Sequence, residues 1–170
     1  MLFLAIVLLQ RIAELLVARR NESKVRKKGA IEYDSKGYLV IVAMHAAFFI
    51  SLCLEYLLLK KSLNSFWTIF ILLFVLAQAL RYWSIYSLGE FWNTKILVIP
   101  GSPLIRKGPY KYIRHPNYAA VTIEIAVIPL VFSCYFTSAL FSMLNLALLH
   151  RRIKIEERAL STASAANKDD

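Results

Sequence analysis

Long apolar runs separated by short polar segments dominate the sequence of this chain. A helix of about 20 residues crosses a bilayer core of about 30 Å. The apolar runs approach or reach that length, and each one predicts a helix. The predicted helices cover residues 1–18, 38–59, 66–88, 116–132 and 138–160. We therefore expect an all-α fold, a polytopic membrane helical bundle with about five transmembrane helices.

The polar segments predict how these helices are connected. Residues 19–37 form a basic loop that is helical at its start, and residues 60–65 are a short link between antiparallel helices. Residues 89–113 contain Pro-Gly and Gly-Pro pairs, and their polar and apolar residues alternate weakly. Both features favour extended or irregular structure. Residues 133–137 are a short turn, so the last two helices form a C-terminal helical hairpin. Residues 161–170 are small and polar, and we expect a disordered tail there.

The composition is that of a membrane protein. Hydrophobic residues make up 58% of the chain and charged residues 19%, against roughly 45–50% and about 25% in soluble domains. The net charge is +10, and the positive residues lie at the ends of the apolar runs and not in one arm or stripe. We therefore expect membrane lipids and no nucleic acid as partners. Cys53 and Cys134 lie inside apolar runs without the spacing of a zinc site, so no metal site is predicted.

The distribution of basic residues predicts the orientation in the membrane. Seventeen lysines and arginines fall in three segments on one side of the predicted bundle, and two fall in the link at residues 60–65 on the other. Positive charge marks the cytoplasmic side. We expect a multi-pass protein with its N-terminus outside and the segment before the fourth helix inside.

Several charged side chains lie inside the predicted spans. Arg11 and Glu14 are three residues apart and can pair on one helix face. His45 has no second ligand one turn away, which favours a hydrogen-bonded core histidine. The sequence leaves the roles of Arg81 and Glu124 open.

The polar segment before the fourth helix carries the most distinctive chemistry. Pro116 suits the first turn of a helix, which places Arg114 and His115 at the helix entrance. Tyr118 and Thr122 follow His115 by three and seven residues and share its face. A helix N-terminus with basic and aromatic side chains at a membrane boundary indicates a ligand site. The alternative is a basic membrane-flanking loop with a tyrosine anchor.

A second set of polar residues lies along the fifth helix. Asn145, Leu149, Arg152 and Glu156 are spaced by four, three and four residues and share one face, with Glu157 on the neighbouring face. If this face lies opposite the His115 face of the preceding helix, the two enclose a pocket at the cytoplasmic interface. The alternative is a solvated helix end with ordinary ion pairs.

These motifs together resemble the signature of the isoprenylcysteine carboxyl methyltransferase family of membrane enzymes. The pattern reads Gly-x-Tyr, Arg-His-Pro-x-Tyr, a helical hairpin and Arg-x-x-x-Glu-Glu-x-x-Leu. It is carried here by Gly108-Pro109-Tyr110, Arg114-His115-Pro116-Asn117-Tyr118, Arg152, Glu156-Glu157 and Leu160. N-terminal residues such as Gln10-Arg11 and Gly29-Ala30 are similar to the short bacterial branch.

The resemblance implies that the chain binds S-adenosylmethionine at the cytoplasmic face, with a lipophilic acceptor entering from the bilayer. Arg152 and Glu156 would act as catalytic residues, Arg152 by steadying an anionic acceptor. Glu156 or Glu157 would accept a proton from a phenol. The cofactor contacts would come from Tyr110, Arg114, His115, Pro116, Tyr118, Asn145 and Glu157.

The resemblance also divides the chain by function. Residues 1–88 would form a three-span membrane region and residues 89–160 the catalytic region. The reaction it implies is methyl transfer to an oxygen, an enol, phenol or carboxylate, of a lipophilic acceptor such as an alkylpyrone, an alkylresorcinol or a prenylcysteine. The alternatives are an NADPH-dependent sterol-type reductase, a phospholipid N-methyltransferase and a non-catalytic scaffold that binds anionic lipid.

Overall fold

A computed structural model describes residues 2–165 of the chain. Its elements, in order, are α1 (Leu2–Lys27), β1 (Ile31–Tyr33), α2 (Ser35–Leu58), α3 (Trp67–Leu88), a 3₁₀ turn (Gly89–Phe91), β2 (Ile96–Val98), a second 3₁₀ turn (Gly108–Lys111), α4 (Pro116–Val131) and α5 (Tyr135–Ala165). The predicted helical class is confirmed, and the described residues contain five α-helices.

Two of these helices have the length and apolarity of membrane spans. They are α2 and the helix that begins at Trp67. Helix α4 is apolar, but its 16 residues extend only about 24 Å at 1.5 Å per residue. The presence of five transmembrane helices therefore stays a prediction.

Helix α1 continues to Lys27, well into the segment that we expected to be mostly a loop. Two local signals explain the extension. An ion pair joins Glu22 to Arg26, one turn apart. Gly29, with φ +83°, ends the helix in a Schellman motif, in which Gly29 N–H donates to Arg26 O and Ala30 N–H donates to Val25 O.

The segments expected to be irregular contain a short antiparallel ribbon. Strand β1 pairs with β2, with Ile31 opposite Val98 and Tyr33 opposite Ile96. At the other end of the chain, α5 reaches Ala165, so the first part of the expected disordered tail is helical. Residues 166–170 lie outside the described residues.

The chain folds into two compact units, which do not follow the order of the sequence. The first contains the chain up to Ser35, residues 88–105 and α5 from Ile155 onward; the second contains residues 36–87 and 106–154. The predicted division into a membrane region and a catalytic region concerns function and stays a prediction.

Helix α1 and the ribbon organise the first unit. The buried Asn21 amide donates to the carbonyls of Gly89 and Trp92, at 3.1 and 2.9 Å. Ile96 and Val98 of β2 pack with residues of α5 in a small apolar cluster. The cluster contains Tyr33, Ile155, Ala159, Leu160 and Ala163.

A network of ion pairs joins α1 to the ribbon within this unit. Lys95 Nζ and Arg26 both bind the Glu22 carboxylate at 2.8 Å, and Arg26 also pairs with Glu32. Burial alone would raise the pKa of Glu22, but the hydrogen bonds from Lys95 and Arg26 outweigh it and lower the pKa below the ordinary 4.5.

The second unit contains α2, α3, α4 and most of α5. Phe48 of α2 packs edge-on against Phe141 of α5, with ring centroids 5.6 Å apart. The Glu55 carboxylate accepts the N–H groups of Phe136 and Thr137, at 3.3 and 2.8 Å. A carboxylate at a helix N-terminus satisfies N–H groups that lack partners inside the helix, so α2 caps α5.

Near its far end, α3 supports the loop that leads to α4. Gly108 has φ +54°, and a Cβ at this position would lie 2.0 Å from Ser87 Oγ and 2.8 Å from Trp83 Nε1. Only glycine therefore permits both the backbone conformation and the close approach to α3.

We expect the Glu22 network to stabilise the fold only above acidic pH. At pH 7, Glu22→Gln should lower stability by about 1 kcal/mol or less, because the site is partly exposed. The folded pKa is depressed, so this contribution is present above pH 4.5 and is lost as the pH falls through the folded pKa. Thermal unfolding of both proteins across this range should show their melting temperatures converging.

The control for this experiment is Glu90→Gln, which removes an exposed pair with Lys28 and should leave the melting temperature unchanged. A difference between wild type and Glu22→Gln that persists at about pH 3 would contradict the assignment.

We also expect Gly108→Ala to destabilise the protein more than Gly89→Ala. The two glycines have nearly the same φ, +54° and +55°, so both substitutions force alanine into the left-handed region at about 1–2 kcal/mol. Only Gly108 lacks room for a Cβ, since nothing lies within 4 Å of the corresponding position at Gly89. Equal melting temperatures for the two variants would show that the close approach to α3 does not exist in solution.

Candidate functional site

Helix α4 begins at Pro116, as the sequence predicts. Pro116 is buried in the first turn of the helix, and His115 is the residue that caps it. The His115 carbonyl accepts the N–H groups of Tyr118 and Ala119, at 3.1 and 3.2 Å. The His115 side chain makes no cap hydrogen bond, and its ring contacts Tyr118 on the helix face.

His115, Tyr118 and Arg152 form one cluster between α4 and α5. The rings of His115 and Tyr118 stack, with centroids 5.3 Å apart and planes 16° from parallel. Arg152 Nε donates to Tyr118 Oη at 2.8 Å. The guanidinium carbon lies 5.7 Å from the ring centroid, so the hydrogen bond at the hydroxyl group is the closer of the two contacts. Arg152 is only 5% exposed.

A second polar contact joins the same two helices. Asn145, 1% exposed, donates through Nδ2 to Thr122 Oγ1 at 3.3 Å. The Thr122 hydroxyl donates to the Tyr118 carbonyl at 2.9 Å. Asn145 and Arg152 are two turns apart on α5. Their partners Thr122 and Tyr118 are one turn apart on α4. The predicted pairing of the α5 face with the His115 face is therefore present for these residues.

The remaining predicted site residues lie on the segment before α4 and on the later part of α5. Tyr110 is half-buried in the 3₁₀ turn, and Arg114 is exposed immediately before His115. Glu156 and Glu157 are half-buried on the part of α5 that belongs to the first unit. The roles of all the site residues stay predictions.

A buried polar cluster joins α3 to α4 and contains Arg81 and Glu124, whose roles the sequence leaves open. Arg81 of α3 donates two hydrogen bonds to the Glu124 carboxylate of α4, one from Nε at 2.8 Å and one from Nη2. Gln78 Nε2 donates to the same carboxylate at 2.6 Å. The signal was present in the sequence, because opposite charges inside apolar helices are usually paired. Which charges pair depends on how the helices pack.

The cluster at the α4 entrance has a definite binding chemistry. A buried guanidinium binds carboxylates well, because its fork matches the carboxylate geometry. The stacked faces of His115 and Tyr118 suit a positively charged group. The N-terminal turn of α4 favours anionic oxygens. Together these groups suit a ligand that carries both a cation and a carboxylate.

Two proteins related to this chain are similar over nearly its whole length. One is YpbQ of Bacillus subtilis, described as an uncharacterized protein, which is 49% identical over 163 residues, 96% of this chain and 97% of the relative. The other is an uncharacterized protein of Haemophilus influenzae, 32% identical over 158 residues and 92% of each chain. No solved structure matches the chain significantly.

Residues 68–162 match the isoprenylcysteine carboxyl methyltransferase (ICMT) family. The match covers more than half of the chain. It runs from the start of α3 through α4 to near the end of α5. It therefore includes the cluster of His115, Tyr118 and Arg152 and the buried cluster of Gln78, Arg81 and Glu124. The chain belongs to the isoprenylcysteine carboxyl methyltransferase family, whose members are membrane-embedded methyltransferases.

Proposed function

We propose that this protein transfers a methyl group from S-adenosylmethionine to an oxygen atom of a lipophilic acceptor in the membrane. Members of the family use this methyl donor. The observation in this chain that carries the proposal is the contact of His115, Tyr118 and Arg152 at the entrance of α4.

The side chains of this cluster fit the charged parts of S-adenosylmethionine. The molecule carries a sulfonium, an amino acid carboxylate and an adenine, and when bound it supplies an electrophilic methyl group. The rings of His115 and Tyr118 suit the sulfonium, and the guanidinium of Arg152 suits a carboxylate. We assign donor binding to His115 and Tyr118 together with Tyr110, Arg114, Pro116, Asn145 and Glu157.

The acceptor that we favour is a long-chain polyketide with an acidic enol or phenol, such as an alkylpyrone or alkylresorcinol. A prenylcysteine carboxylate and a phospholipid amine come next. Methyl transfer requires mainly positioning and removal of water, and an acidic acceptor is largely ionised or needs only a weak base. In this proposal Arg152 steadies the acceptor anion, and Glu156 or Glu157 accepts a phenol proton.

The proposed orientation puts the cluster at the cytoplasmic side, with the N-terminus outside. Its support is the basic-residue distribution, since cytoplasmic segments of membrane proteins carry the excess of lysine and arginine. The lipid-soluble acceptor would then approach from the bilayer and the water-soluble donor from the cytoplasm.

The first test is direct binding of the donor to the purified protein in detergent, measured by calorimetry. We expect wild type to bind S-adenosylmethionine with a Kd in the range of about 1 μM to 1 mM, and His115→Ala to bind at least about tenfold more weakly because it loses the stacked ring. His150→Ala is the matched control, because His150 is an exposed histidine on α5, and it should bind as wild type does.

The same titration with NADPH separates the alternatives. Binding of NADPH without binding of the methyl donor would replace this proposal with a reductase. Failure of both ligands to bind wild type would favour a non-catalytic scaffold. If His115→Ala bound the donor as tightly as wild type, the proposed location of the site would be wrong.

A second test addresses the Tyr118 and Arg152 contact. Tyr118→Phe keeps the aromatic ring but removes the oxygen that accepts from Arg152 Nε. Losing a hydrogen bond to a charged group costs about 1.5–3 kcal/mol, so we expect donor affinity to fall by about tenfold or more. Tyr112→Phe is the control, since Tyr112 is exposed in the segment that precedes α4. Arg152→Ala with wild-type binding and turnover would exclude the proposed roles of Arg152.

A further inference from the structure

The buried cluster of Gln78, Arg81 and Glu124 lies on the side of α4 opposite the contact of Thr122 with α5. Thr122 contacts α5 through Asn145, and Glu124 contacts α3. These two residues are two positions apart, which corresponds to about 200° around an α-helix. Helix α4 is therefore held by polar contacts on two nearly opposite faces.

The contact with α3 fixes the position of α4 through directional hydrogen bonds. Apolar surfaces attract without a preferred direction, so apolar packing alone leaves a helix some freedom to slide or rotate. The Arg81 fork binds both oxygens of the Glu124 carboxylate, and Gln78 binds one of them from the preceding turn of α3. Bidentate pairs add geometric specificity to their binding energy.

The proposed donor site lies on the same rigid helix, close to this contact. Tyr118 precedes Glu124 by six residues, about 9 Å along the axis. The loop before α4 also rests on α3, where Gly108 approaches Trp83 and Ser87. A small shift of α4 against α3 would therefore displace His115 and Tyr118 relative to Arg152 on α5.

We propose that Gln78, Arg81 and Glu124 are positioning residues that hold α4 in the register that the methyl-donor site requires. This inference rests on the proposed function for the identity of the ligand. It assigns these residues no contact with donor or acceptor. The alternative is that they are a stabilising pair and no more, which apolar residues of similar size would replace without effect on binding.

The decisive variant replaces the whole cluster at once, by Gln78→Leu, Arg81→Met and Glu124→Leu. Removing one partner of a buried ion pair leaves an unpaired charge, but replacing all partners by apolar side chains is often neutral for stability. We expect this triple variant to melt within about 5 °C of wild type. Its Kd for S-adenosylmethionine should be at least about tenfold higher. A merely structural cluster would leave that Kd unchanged.

Arg81→Lys is the second variant, for the case in which the triple variant fails to fold. Lysine keeps the positive charge but lacks the planar fork of arginine. We expect a nearly wild-type melting temperature with donor binding several-fold weaker. The control is Ser51→Ala with Thr137→Val, which removes a 2.9 Å hydrogen bond between α2 and the first turn of α5. That variant should bind the donor as wild type does.

Hydrogen exchange provides a readout that needs no ligand. The amides of Tyr118 and Ala119 bond to the His115 carbonyl at 3.1 and 3.2 Å. In the triple variant without ligand, these amides should exchange about tenfold faster than in wild type, because the first turn of α4 is less well held. The Ser51 and Thr137 control should leave them unchanged.

The outcomes separate the two proposals. If wild type fails to bind the donor, the proposed function is wrong, and the exchange of the Tyr118 and Ala119 amides alone decides the positioning role. If wild type binds and a folded triple variant binds within twofold of it, the positioning role is wrong and the proposed function stands. For an unfolded triple variant, unchanged donor binding by Arg81→Lys overturns the positioning role.

Discussion

Arg152 is a buried charge that links the last two helices. A charged group removed from water is costly unless it is hydrogen-bonded, and Tyr118 provides an acceptor from α4. The same phenol ring stacks on His115, so a contact of this buried charge also belongs to the candidate site. The hairpin of α4 and α5 and the chemistry at its entrance depend on the same side chains.

The same requirement operates on the other face of α4, where Glu124 is 3% exposed. Its carboxylate is satisfied from α3 by Arg81 and Gln78. Contacts of this kind fix the relative position of apolar helices, because apolar packing has no preferred direction and polar pairs do. Gly108 adds a steric contact to the same arrangement, since its backbone lies against Ser87.

This arrangement supports the proposed chemistry. A methyl transfer gains most from holding two reactants in line and from excluding water, and it makes small demands on acid or base catalysis when the acceptor is acidic. Rigid helices with satisfied buried polar groups are suited to that task. The apolar helices α2 and α3 are likewise compatible with an acceptor that dissolves in the bilayer.

The sequence by itself determined the features that depend on neighbours along the chain. The apolar runs predict the helices, Pro116 predicts the start of α4, and Arg11 and Glu14 pair within one turn as expected. The extension of α1 to Lys27 also has local causes, namely the pair of Glu22 with Arg26 and the left-handed backbone of Gly29. The partner of Glu124 and the pairing of Ile31 with Val98 depend instead on how distant segments pack. Local patterns reach one or two helical turns, whereas contacts between distant segments depend on packing register, which apolar periodicity does not specify.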